Sequence, residues 1–160
     1  MNIDKSIEVL NTLIEINNDR IESYKTASRA TEKHGLKNLF FEFQQTSQKC
    51  KSELIKEIKN LGGIPKEVIK INAVFFEFWI DLKATFICKD SNDIINSCKS
   101  NEHRAEQYYN NVLIHKLENL NFEQQIMLRK HSLLINLDNN KVGVLSAILL
   151  EKKKFELNSI

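Results

Sequence analysis

Backbone breakers are scarce in this chain and they are clustered. Its 160 residues hold 4 glycines and 1 proline, at Gly35, Gly62, Gly63, Pro65 and Gly143. Strands of ordinary length need frequent turns, and turns draw on glycine and proline. Long stretches without either residue point to long helices instead. The chain length suits one domain with a real core.

The apolar residues fall at alternating three- and four-residue steps, which is the signature of helices with one buried stripe. A first helix capped by Asp4 or Ser6 is expected to run to about Lys33, with Ile3, Ile7, Leu10, Ile14, Ile21 and Tyr24 on one face. His34-Gly35 then reads as its stop. A second helix spans about 36–61, with Leu36, Phe40, Phe43, Ser47, Cys50, Leu54 and Ile58 in line, and Gly62-Gly63 and Pro65 end it. The short link between the two implies an antiparallel hairpin.

A long connection follows, and its apolar block from Val74 to Ile87 predicts a helix over 73–88 packed against the bundle. Ser91 is the expected cap of a third main helix at about 92–118, with Ile95, Cys98, Glu102, Ala105, Tyr109 and Val112 on one face. Asn121 caps a fourth at about 122–138, with Ile126, Leu133, Leu134 and Leu137 inward, and Asn139-Asn140 breaks it. Residues 1–140 are thus expected to form the bundle. Residues 141–160 are expected to form an amphipathic tail that packs on it or on a partner.

Composition excludes several classes of function. A formal charge of +2 gives no strong field, and no basic stripe is interleaved with aromatics, so nucleic acid is not an expected partner. The first residues lack a basic region followed by an apolar run, so no signal peptide is expected. No run approaches about 18 uninterrupted apolar residues, so no membrane span is expected either. Cys50, Cys88 and Cys98 are odd in number and widely spaced. They read as free thiols of a reducing cytoplasm, packed in the core, with a Cys50–Cys98 redox pair as the lesser alternative.

The informative positions are polar residues that interrupt the apolar stripes. Asn17 lies between Ile14 and Ile21, and Glu102 lies between Cys98 and Ala105. Each is followed seven residues later by a tyrosine, Tyr24 and Tyr109, on the same helical face. A buried carboxylate needs a proton, a hydrogen-bonding partner or a cation. Asn17, Tyr24, Glu102 and Tyr109 are therefore expected to form a core polar network.

Here the chain resembles the ferritin-like di-iron proteins. In that family the first and third helices each give a Glu, commonly with a Tyr two turns later, and the second and fourth give Glu-x-x-His. Asn17 stands in the first Glu position and Glu102 in the third-helix Glu position. Ser47-x-x-Cys50 and Leu128-x-x-His131 stand where Glu-x-x-His is expected, and no Glu-x-x-His occurs in the chain. A more specific resemblance is to a bacterial group of ferritin-like bundles without an assigned function. It covers about residues 8–139 and is carried by segments such as Leu61-Gly62-Gly63-x-Pro65, Trp79-x-Asp81-Leu82-Lys83 and Cys98-x-x-x-Glu102. It implies an all-α, antiparallel four-helix bundle with a long helical crossover between helices 2 and 3, located in the cytoplasm.

Two functional readings follow. The first is a non-enzymatic interaction or stress-associated module, homo-oligomeric, without a complete di-iron site and without a cofactor. The second is a metal-binding or oxidoreductase protein whose divergent site, around Glu102 with Asn17 and His131, holds a single divalent cation. His103, His115 and His34 read as surface residues. Contact of residues 142–154 with an anionic membrane is a further, lesser reading.

Overall fold

The computed structural model describes residues 2–66 and 91–159. Within them lie four long helices: α1 (Ile3–Ala30), α2 (His34–Asn60), α3 (Ser91–His115) and α4 (Phe122–Asn158), with a short 3-10 turn at Leu117–Asn119 before α4. α1 pairs with α2 and α3 with α4 as antiparallel hairpins, and the two hairpins join through α1 against α3 and α2 against α4. The expected helix at 73–88 lies outside the described residues, as does Cys88.

Local chemistry sets the helix ends. The Asn2 side chain accepts from the Lys5 backbone N–H at 3.2 Å, so Asn2 is the cap of α1, and Asp4 and Ser6 lie inside the helix. α1 stops at Ala30 because Thr31 turns extended and its hydroxyl accepts from the Lys33 N–H at 3.2 Å. His34-Gly35 therefore opens α2 and does not end α1. At the far end of α2, Gly62 donates to the Lys59 carbonyl and Gly63 to the Ile58 carbonyl, the paired bonds of a Schellman cap. Gly62 carries the required positive φ of 78°. Asn121 caps α4 as expected, in a reciprocal box with Gln124. Ser91 is the first residue of α3 and not its cap, and α3 ends at His115.

The core forms two apolar clusters. One gathers Leu10, Leu13, Ile14, Leu54, Ile58, Ala105 and Leu128. The other gathers Tyr24, Ala27, Phe40, Phe43, Ile95 and Val142, with the Tyr24 ring stacked on Phe40 at 5.7 Å. Burying a large apolar side chain contributes roughly 1.5–3 kcal/mol, so these clusters supply most of the drive to assemble. Between them the buried positions turn polar: Asn17, Arg20, Ser47, Glu102, His131 and Asp138 are all at most 5% exposed.

α4 departs most from expectation. Asn139-Asn140 does not break it, and the helix continues to Asn158. The Asn136 and Asn139 amides donate to the two carboxylate oxygens of Glu106 on α3, at 2.7 and 2.8 Å. Amides held across a helix interface do not compete for their own backbone. The inward face also differs. Leu128, His131, Ile135, Asp138 and Val142 are buried, whereas Ile126, Leu133 and Leu137 are exposed and Leu134 is half-buried. By length and composition α4 is apolar enough to cross a membrane, yet its inward face packs in the bundle and carries Asp138 and His131.

Gly62 and Gly35 make opposite predictions. Gly62→Ala forces a Cβ into left-handed backbone and should destabilise by about 1–2 kcal/mol. Gly35 sits in α2 with nothing within 4 Å of a built Cβ. Gly35→Ala should stabilise by about 0.4–1 kcal/mol through the unfolded chain. Urea unfolding of both variants checks the two signs.

Candidate functional site

One side chain from each helix meets in the buried polar layer. Arg20 comes from α1, Ser47 from α2, Glu102 from α3 and Asp138 from α4. The fully buried guanidinium donates from Nη1 to the Ser47 hydroxyl and from Nη2 to Glu102 Oε1 at 2.6 Å and to Asp138 Oδ2 at 3.1 Å. Tyr24, four residues along α1, donates its hydroxyl to the same Glu102 oxygen. The Arg20 guanidinium also lies 5.7 Å from the Tyr24 ring centroid.

Electrostatics bind this cluster tightly. Arg20 stays firmly protonated: burial works against its charge, and Glu102, Tyr24 and Asp138 outweigh that effect. Burial raises the carboxyls of Glu102 and Asp138 above the usual range, with Arg20 offsetting part of the rise. One cation facing two carboxylates reaches neutrality when the cluster keeps one proton. Glu102 Oε2 and Arg20 Nε have no hydrogen-bond partner among the described residues, which leaves the cluster costly to charge further.

A second chain of contacts leads outward. Asn17 Nδ2 donates to the Leu13 carbonyl at 2.8 Å and to the Tyr109 hydroxyl at 2.7 Å. Tyr109 lies 3.4 Å from His131 Nδ1, and His131 Nε2 lies 2.9 Å from Glu53 Oε2. Glu53 is partly exposed and also meets Lys130 at 3.4 Å. Burial holds the His131 imidazole below its usual pKa, with Glu53 offsetting part of that shift. This path is a polar spine from the core to the surface.

The sequence-derived residues are therefore all in the core, but in two groups. Tyr24 meets Glu102, and Asn17 meets Tyr109 and, through it, His131. No hydrogen bond joins the two groups among the described residues. Three members escaped the sequence reading. Arg20 stands four residues before Tyr24 and three after Asn17, a spacing that puts it on the same face. Asp138 follows His131 by seven residues, a signal hidden by treating Asn139-Asn140 as a helix end. Glu53 follows Cys50 by three, one turn along α2. Cys50 and Cys98 are buried free thiols, and burial pushes Cys50 up to about 12 and Cys98 well above its usual value. Neither is poised as a nucleophile. His103, His115 and His34 are exposed.

The arrangement does not fit a di-iron centre. Such a centre needs carboxylates and imidazoles converging on two cations. Here a guanidinium already occupies the space between Glu102 and Asp138, and any metal ligated there would face its positive charge at close range. Among the described residues no three of His, Cys, Asp or Glu gather as a metal-binding group.

Two stacked antiparallel hairpins, with one polar residue from each helix in a shared buried layer, define a ferritin-like four-helix bundle. The crystal structure of a ferritin-like, diiron-carboxylate protein from Bacillus anthracis str. Ames is similar, with a TM-score of 0.65 and 17% identity over 93% of this chain and 99% of that one. The chain belongs to the family described as a domain of unknown function (DUF2383), which matches residues 5–115. No curated protein matches it.

Two predictions follow from the cluster. Arg20→Met strands two buried carboxylates and should cost about 3–5 kcal/mol, while the triple variant Arg20→Met, Glu102→Gln, Asp138→Asn should recover most of it. Thermal and urea unfolding check both. Asp19, beside Arg20 on α1, is 1% exposed, and burial together with Glu15 raises its carboxyl to about 7. The folded chain then binds more protons than the unfolded chain between about pH 4 and about 7, so this residue's contribution falls as pH rises through that window. Asp19→Asn should flatten that part of the stability–pH curve, by a few kcal/mol in order of magnitude.

Proposed function

We propose that this protein is a non-enzymatic, stress-associated interaction module of the cytoplasm, a ferritin-like bundle that works without a di-iron centre. The supporting observation is Arg20, whose guanidinium stands among the carboxylates where a metal-dependent bundle would need a cation. Arg20 supplies the positive charge permanently, since arginine does not release its proton in proteins. The layer then acts as a register lock: four helices must align for Arg20 to reach Ser47, Glu102 and Asp138 together. The His131–Glu53 contact adds a further anchor between α2 and α4. Neither group offers an activated nucleophile, so the outer surface is the part left for function.

Elemental analysis of the full chain, expressed with iron, manganese and zinc supplied, tests this against the divergent metal site around Glu102. The expected content is well below one ion per chain, unchanged in Glu102→Ala. Stoichiometric metal that disappears in Glu102→Ala would overturn the proposal.

A further inference from the structure

The outward face of α4 carries a second apolar stripe that the bundle does not use. Phe122, Leu133, Val144 and Phe155 recur every eleven residues, and Ile126, Leu137 and Ile148 form a parallel row with the same period. All of them are at least half exposed, with Phe122 at 75% and Phe155 at 74%. Eleven residues make just over three helical turns, so both rows run nearly along the helix axis with a slow right-handed drift. The stripe lies opposite the inward residues Leu128, His131, Ile135 and Asp138 and extends about 50 Å. Only 22% of the most apolar stretch of α4 is buried.

We propose that this stripe is a homodimer interface, in which α4 of one copy packs antiparallel on α4 of a second copy with the twofold axis near Asn140. That register sets Leu137 opposite Val144, Leu133 opposite Ile148 and Ile126 opposite Phe155 of the second copy. The polar residues that interrupt the stripe then match as well. Arg129 comes to lie opposite Glu151, and Asn140 faces its own copy on the axis. Arg129 has no ion-pair partner among the described residues, and Glu151 meets only Lys154 of its own exposed turn. Parallel pairing would instead set arginine against arginine and glutamate against glutamate. A lipid surface would set Arg129, Asn140 and Glu151 against hydrocarbon within the apolar strip, at high cost.

Two further observations fit a second copy. α4 has 37 residues where α1 has 28, and every residue from Glu151 to Asn158 is exposed. A short helical end with no packing partner is marginal in water. In the antiparallel pair this end, with Phe155, lies on the Phe122–Ile126 segment of the second copy. Beside Leu133 and Arg129 a groove of about 390 Å³, bounded by Leu113 and Ile114 of α3, lies where Ile148 of the second copy arrives. A stable interface takes roughly 800 Å² from each partner, and the two exposed rows supply apolar area of that order.

The inference deepens the interaction reading by naming the partner, and its test reads association and not metal content, so either can fail without the other. Sedimentation velocity of the full chain at tens of micromolar should give a dimer. Leu133→Glu and Leu137→Glu should each weaken it at least tenfold while leaving the helical circular dichroism unchanged, as exposed positions allow. Arg129→Glu alone should weaken the dimer, and Arg129→Glu with Glu151→Arg should restore it. A monomeric wild type overturns the proposal, including one that binds phosphatidylglycerol vesicles in flotation. A dimer indifferent to Leu137→Glu, or a charge swap that fails to restore association, overturns it too.

Discussion

A single guanidinium ties the four helices together. Arg20 reaches Ser47 on α2, Glu102 on α3 and Asp138 on α4, and none of these contacts survives a shift of one helical turn. Apolar packing alone is permissive about register, because a leucine finds a similar environment one heptad along. A buried ion cluster is not permissive, because a stranded charge costs several kcal/mol. The two apolar clusters on either side drive the helices together, and the layer between them selects one alignment.

That layer also differs from what a di-iron centre needs. The ferritin-like arrangement focuses four helices on one buried polar zone, and the zone needs positive charge to balance its carboxylates. A pair of metal ions is one solution, and a protonated arginine is another. Arg20 carries its positive charge throughout the ordinary pH range, so its half of the balance is built into the chain. Burial keeps Glu102 and Asp138 above their usual range, and Arg20 offsets only part of that rise.

α4 carries two apolar faces, and this explains why its inward residues were misassigned. The sequence offers Ile126, Leu133 and Leu137 on one side and Leu128, Ile135 and Val142 on the other. The more apolar of the two is the one left outside. Polar residues within a stripe were the better guide: His131 and Asp138 mark the side that meets the other helices, because only there do they find partners. Glu53 and Arg20 wait for them on α2 and α1.

The sequence by itself determined the four described helices, the limits of α1, α2 and α3 to within a few residues, the pairing into hairpins and the burial of Asn17, Tyr24, Glu102 and Tyr109. Those properties rest on period, caps and breakers, which act over a few residues. Helix ends that depend on a side chain two or three positions away, such as Thr31 on Lys33, shifted by a few residues. Tertiary structure alone decided that Glu102 is neutralised by Arg20, that Asn139 is held by Glu106 and so leaves α4 unbroken, and which face of α4 turns inward. Each of these is a contact between residues far apart in the chain, and a one-dimensional pattern carries the need for a partner without carrying the partner's identity.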